Sequence, residues 1–245
     1  MSDIENYYIN IIEKIEKLVN DSEIDKAIFM LEDELSAPYI PINFQDILET
    51  KLLELNANKK YFSNILRYEN FDRDKLLRSI IEQNRINIYA METFFNRYDK
   101  NISKAEFQFF QNILISNEIR NNDKILVVES LVFSEIKGMM NFYNINLDKS
   151  FEIDLNNIKS VMSLPLYNEI LNIISDLALK EPSVFEMSKN ILLSIFYYYY
   201  PIIPDFDSKD LAKGIFDYIL FSLQGTNLND NEITKVISRI VKDIF

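Results

Sequence analysis

Histidine and cysteine are both missing from all 245 residues. Their absence excludes Ser-His-Asp and Cys-His nucleophilic arrangements, zinc sites of the usual kind and thiol redox chemistry. Disulfides are excluded as well, so nothing favours an oxidising compartment. Glycine is nearly absent: Gly138, Gly214 and Gly225 stand apart, and neither a GxGxxG fingerprint nor a phosphate-cradling P-loop can be written from them. Six prolines and no tryptophan sit beside abundant Ile, Asn, Lys, Phe and Tyr, the bias of an AT-rich genome. The longest apolar run, Ile191 to Ile203, is interrupted by Ser194 and Pro201 and carries four tyrosines. It falls short of the roughly 20 apolar residues of a membrane span. The opening residues, Met1-Ser2-Asp3-Ile4-Glu5, are acidic where a secretion signal is basic. The expected location is the cytoplasm, with no membrane partner.

What is present is ordinary for a globular protein: 48% apolar and 26% charged residues, enough for one large domain or two small ones. The net charge of −12 argues against nonspecific nucleic-acid binding by the whole surface. Its distribution is uneven. Residues 1–58 hold 13 acids against 4 bases, residues 59–104 hold 6 against 10, and residues 105–245 hold 19 against 12. One basic segment is embedded in an acidic chain.

Helical periodicity dominates. Ile4, Tyr8, Ile11, Ile12, Ile15, Leu18 and Val19 recur at three- and four-residue steps, with Ser2 and Glu5 as a capping box. A second helix follows Ser22, read as its cap, and carries Ile24, Ala27, Ile28, Leu31 and Leu35 before Pro38 stops it. Asn43 is read as the cap of a third, bearing Phe44, Ile47, Leu48, Leu52 and Leu55. Further helices are predicted near 73–83, 85–98, 103–117, 122–137, 165–179, 183–200, 208–224 and 230–244. Ser103 with Glu106, Ser183 with Glu186, and Ser208 mark starts, and Gly225 marks an end. Period-two alternation of Ile145 and Leu147, then Phe151, Ile153 and Leu155, predicts one short β-hairpin near 143–156. The expected fold is mostly α: antiparallel helix pairs in a tetratricopeptide-like or α-solenoid-like bundle. The expected organisation is an N-terminal helical-repeat part (1–137), a connecting segment (138–160) and a C-terminal helical part (161–245).

Residues 11 to 41 resemble one degenerate tetratricopeptide unit. Ala27 stands at the small position where the two helices cross, Leu31 at the large apolar position four residues on, and Pro38 near the end of the repeat. The first helix lacks the family's aromatic and glycine, Ser22 replaces the turn glycine, and no second clear copy follows at a spacing of ~34 residues. More of the chain is similar to the DUF3196-like family of helical proteins from mollicutes and related low-GC bacteria. Glu34-Leu35-Ser36-Ala37-Pro38-Tyr39-Ile40-Pro41, Lys180-Glu181-Pro182-Ser183-Val184-Phe185-Glu186 and Phe196-Tyr197-Tyr198-Tyr199-Tyr200-Pro201 carry that likeness, with Leu211-Ala212 and Ile215-Phe216-Asp217-Tyr218. It implies a helical fold across most of the length and no particular activity.

Candidate sites are few, and each has a plain structural alternative. Glu32-Asp33-Glu34 is either a docking face for a basic partner or, more economically, a solvated face with Asp33 and Glu34 near Lys26 and Lys51. Asp205, Asp207 and Asp210 suit a divalent cation, but an EF-hand loop needs Gly sixth and Glu twelfth, where this chain has Asp210 and Phe216. Asn227, Asn229 and Asn231 fail in the same way, with Glu232 and Ser238 at those places. Helix capping explains both clusters, and no metal or cofactor is expected. Lys59, Lys60, Arg67, Arg73 and Arg85 interleave with aromatics over 59–104, as an anion- or RNA-contacting surface would. Lys75, Arg78, Arg97, Lys100 and Lys104 extend that segment. The rival is pairing within the chain: Asp74, Arg78 and Glu82 fall along one helix face, and the acidic N-terminal part offers partners. Tyr197, Tyr198, Tyr199 and Tyr200 span all sides of a helix turn, and tyrosine suits interfaces. With Pro38, Tyr39 and Pro41 they are the candidate partner contacts.

The reading that follows is a non-catalytic, cytoplasmic helical-repeat protein that binds another protein through an apolar groove or aromatic patch with acidic rims. The alternatives are RNA or ribosome association through 59–104, and a carboxylate-based enzyme or small-molecule binder.

Overall fold

A computed structural model describes residues 3–98, 101–179, 181–225 and 232–244. The chain folds as two compact units, Met1–Leu76 and Leu77–Phe245.

In the first unit, α1 (Asp3–Asn20), α2 (Ile24–Leu35) and α3 (Ile42–Leu66) each turn one apolar stripe inward. Tyr8, Ile11 and Ile15 meet Ala27, Ile28 and Leu31, and both sets close on Phe44, Leu48 and Leu55. The Tyr8 ring stacks on Phe44 at 5.3 Å between centroids. Ser22 does not cap α2. It takes a left-handed φ of 62° just past α1, where its amide and that of Glu23 donate to the Val19 and Leu18 carbonyls. Glu23 stands at the α2 N-cap position, but its side chain accepts from no helix amide. Nor does Asn43 cap α3: that helix starts at Ile42 behind Pro41, whose carbonyl receives the Phe44 and Gln45 amides. Ser2, half of the predicted capping box, lies outside the described residues.

The short α4 (Arg73–Arg78) replaces the first part of a helix predicted to 83. Beyond it, β1 (Ile81–Glu82) and β2 (Arg85–Ile86) form a tight antiparallel ribbon. Gln83 and Asn84 both take positive φ there, the backbone of a two-residue hairpin turn. Glu82 therefore leaves the helix face shared by Asp74 and Arg78, and accepts from the Asn87 amide group instead.

The second unit continues with α5 (Ile88–Tyr98), α6 (Lys104–Ile115), α7 (Asn121–Phe133), β3 (Met139–Asn144), β4 (Lys149–Asp154), a 3-10 turn (Val161–Ser163), α8 (Pro165–Leu177), α9 (Pro182–Tyr199), α10 (Ser208–Gln224) and α11 (Glu232–Ile244). The fold is mostly α, with one hairpin of real length, β3–β4, paired Met140 to Ile153 and Phe142 to Phe151. Ile145 to Leu147 lie in its turn, and β3 begins earlier because Met140, Phe142 and Asn144 are the residues that point inward. The capping box of α6 is present: Ser103 Oγ accepts the Glu106 amide while Glu106 accepts the Ser103 amide. Ser183 and Ser208 sit inside first turns, behind Glu181 and Asp207. Asp207 is the working cap, accepting from the Lys209 and Asp210 amides. Gly225 ends α10 at φ 66°. In the core Phe94 and Phe95 pack on Phe110, Phe142 meets Tyr200, and α8 meets α9 through Tyr167 against Phe196.

Candidate functional site

An open concavity of the second unit arises from how α5 and α7 distribute their apolar surface. From Ile125 to Phe133, α7 is apolar at every position except Glu129 and Ser130. The apolar residues of this run fall on more than the one face that packs on the core. Val127, Val128 and Leu131 are buried, while Leu126 and Val132 are half-buried and Phe133 is 88% exposed. On α5, Met91 and Phe95 are buried and Ile88 is exposed. Leu126, Val128, Val132 and Phe133 of α7 and Ile88, Met91 and Phe95 of α5 line an open groove of about 530 Å³, together with Ile158, Lys159, Ser160 and Tyr200. A smaller cavity of about 370 Å³ shares Ile158, Lys159 and Tyr200 and runs along Phe196 and Pro201 to Ile203.

Two carboxylates line the larger groove, Glu92 and Glu129. Ser160 Oγ donates to Glu129 Oε1 at 2.8 Å. Tyr200 is fixed from behind: its ring meets Phe142 edge-on at 5.1 Å, and Asn144 Nδ2 donates to its carbonyl at 2.6 Å. Asn144 in turn accepts from Asn121 Nδ2 at 2.8 Å, so a buried amide network ties α7, the hairpin and the end of α9 together. A cis bond joins Tyr200 to Pro201. Burial, and then the nearby Glu129 charge, push the Tyr197 phenol up to about 12. The same causes raise that of Tyr200 further. Among the described residues no group of three or more carboxylates is placed to hold a metal ion. Chemically the groove offers an apolar slot, two carboxylates, the exposed ammonium of Lys159 and the phenol of Tyr200.

A family model described as "Protein of unknown function (DUF3196)" matches residues 1–245. The chain belongs to this family. A protein of Mycoplasma pneumoniae (strain ATCC 29342 / M129 / Subtype 1), "Uncharacterized protein MG237 homolog", is 18% identical to it over 251 residues, spanning 99% of this chain and 84% of that relative.

In this DUF3196 protein the stretches that carry the resemblance fall at joints between elements. Glu34–Pro41 makes the α2–α3 turn, Glu181–Glu186 opens α9 and Phe196–Pro201 closes it; Lys180 lies outside the described residues. No helix of the described residues is long and apolar enough to cross a membrane.

The predicted partner contacts separate. Pro38, Tyr39 and Pro41 lie on the α2–α3 turn of the first unit, with Tyr39 72% exposed and its carbonyl accepting from the Tyr8 hydroxyl at 3.4 Å. Tyr197, Tyr198 and Tyr199 are half-buried and Tyr200 is buried, so the quartet is not one exposed patch. Tyr198 meets Tyr199 edge-on, and Tyr199 meets Phe206.

The basic segment is shared between the two units, and its residues differ in what they touch. Lys59 pairs with Asp25 at 2.6 Å, the intrachain pairing with the acidic N-terminal part named above. Lys60 is exposed, Arg67 lies over the Tyr68 ring, and Arg73 opens α4 half-buried. Arg85 pairs at 2.6 Å with Asp123, whose side chain is almost wholly buried. Lys100 lies outside the described residues, as do Asn227, Asn229 and Asn231. In the acidic cluster, Glu34 accepts from the Tyr7 hydroxyl at 2.7 Å. The expected neighbours are engaged elsewhere, Lys26 with Glu23 and Lys51 with Glu16.

Glu129, Phe133 and Ile88 were not singled out by sequence. The available signal was α7 itself, where one glutamate interrupts a run too apolar to be covered on every side.

Proposed function

We propose that this protein is a non-catalytic, cytoplasmic adaptor that binds a segment of another protein in the groove between α5 and α7. The observation that carries the reading is the groove's apolar wall with Phe133 standing 88% exposed on its rim. A cavity in the few-hundred-Å³ range, apolar with a few polar groups, is the usual form of a binding site, and the exposed Phe133 and Ile88 extend its apolar lining to the surface. A docked helix or extended segment would bury that wall, and Glu92 and Glu129 would favour a basic one. RNA association has weaker support, because Lys59 and Arg85 already hold carboxylates.

The test is crosslinking before lysis and recovery of the tagged protein, wild type against Phe133→Asp. Because Phe133 contributes little to the core, the variant is expected to unfold at the same denaturant concentration while losing a stoichiometric partner. Equal recovery of the same partner by both proteins overturns the reading.

A further inference from the structure

We propose that the groove recognises a basic side chain, a lysine or arginine flanked by apolar residues on the partner's docked segment, and holds its cation between the Glu129 carboxylate and the Tyr200 hydroxyl. This rests on the groove being the partner site.

Three observations converge on one spot. Glu129 stands in the middle of α7, half-buried, and its carboxylate is met by Ser160 Oγ; no cation pairs with it among the described residues. From Ile125 to Phe133 Ser130 is the one other polar residue, so the charge is placed in an apolar stretch where a partner that answers it is favoured. Tyr200 is 5% exposed and lines both cavities, yet its hydroxyl makes no hydrogen bond to another described residue. Its oxygen is therefore open to a ligand's donor from the cavity side. Tyr197 is the third group, half-buried and close enough for Glu129 to raise its phenol.

The chemistry of the set selects the ligand. A carboxylate or phosphate would meet Glu129 with like charge. A purely apolar ligand would desolvate Glu129 and Tyr200 without partnering either. An ammonium or guanidinium donates several hydrogen bonds and accepts none, which matches a carboxylate and a phenol oxygen that both accept. Its methylene stem lies along apolar walls such as Met91 and Phe95 while the charge reaches the polar end, and tyrosine faces add cation–π attraction. Both phenols are raised by burial and by the Glu129 charge, while Lys159, which also lines the groove, is exposed and makes no ion pair with Glu129 among the described residues.

The test uses the full-length protein and two blocked synthetic amphipathic helices, identical except for a central lysine or norleucine on the apolar face. Affinities are measured by calorimetry for wild type, Glu129→Gln, Tyr200→Phe and Phe133→Asp, each checked for an unchanged unfolding midpoint. The lysine helix is expected to bind wild type about tenfold or more tighter than the norleucine helix, because charge-assisted hydrogen bonds are the stronger kind. Glu129→Gln, nearly isosteric, should abolish that difference, and Tyr200→Phe should reduce it about threefold. If the two helices bind equally and Phe133→Asp weakens both, the cation site is wrong and the groove stands. If neither helix binds, or Phe133→Asp changes nothing, the groove reading and the cation site fall together.

Discussion

Lys124 has no solvent exposure, and its ammonium donates to the Tyr143 carbonyl at 2.6 Å beside the rings of Phe142 and Tyr143. No carboxylate pairs with it among the described residues, so desolvation dominates and lowers its pKa to about 8. The unfolded chain holds that proton up to about pH 10.4. Between these values the unfolded state binds more protons, so stability rises with pH across the window, by roughly 2 kcal/mol from pH 8 to 10. Above about pH 10 the sign reverses, because phenols raised in the fold, Tyr197 to about 12, ionise first in the unfolded chain. Urea unfolding of wild type should therefore show a rise and then a fall, and Lys124→Met should flatten the rise; a rise that persists in the variant assigns it to another group. Ser22 makes a second prediction. Its left-handed φ costs an L-residue roughly 1 kcal/mol, so Ser22→Gly should raise stability by about 0.5–1 kcal/mol in thermal or urea unfolding. A loss would mean that the Ser22 side chain contributes more than its backbone costs. Reading Ser22 as a cap from sequence missed this because Ser favours both a cap and a tight turn, and only the amide partners distinguish them.

At the scale of elements, the helices were legible because their apolar stripes repeat at 3.6 residues, and α6, α8 and α10 start and stop close to where that pattern places them. The ribbon of Ile81–Ile86 was hidden, since two-residue strands carry too little alternation to register and Gln83-Asn84 is a weak turn signal beside Asn-Gly. The hairpin was found but displaced, as the alternation that fixes it runs through Met140 and Phe142 rather than Ile145. The docking of α11 on α10 left no local trace, although one residue reports it. A Cβ built on Gly214 would lie 2.5 Å from Ile233 Cγ2, closer than real contacts allow. Gly214→Ala should destabilise by about 2 kcal/mol, within the range of overpacked sites. Adding Ile233→Ala to Gly214→Ala should cost less than Ile233→Ala does in wild type, since it removes the atom that clashes. Additive losses, measured by urea unfolding, would show that α11 moves aside freely.

At the scale of the whole molecule, the balance of charge was readable from composition, and the candidate site was not. The groove depends on residues 88 to 200 converging, and its central charge looks in sequence like any lone glutamate on a helix. All four residues of the tyrosine quartet were expected at a partner contact, and of the four it is the buried Tyr200 that lines the groove. Composition and pairing together also bear on the nucleic-acid alternative. A net charge of −12 repels polyanions, and attraction through 59–104 requires cations that remain free. Within that segment Lys59 holds Asp25, Arg85 holds the buried Asp123, and Lys75 lies 3.8 Å from the centre of the Phe71 ring. Releasing Arg85 to a phosphate would strand a desolvated carboxylate, a cost that a phosphate contact in water does not offset. The intact protein is therefore expected to pass through a heparin column at 50 mM salt and to leave a fluorescent poly(A) probe unbound at low micromolar concentration. Retention that shifts steeply with salt and is abolished by Lys60→Glu with Arg67→Glu would instead make the basic segment a working anion site.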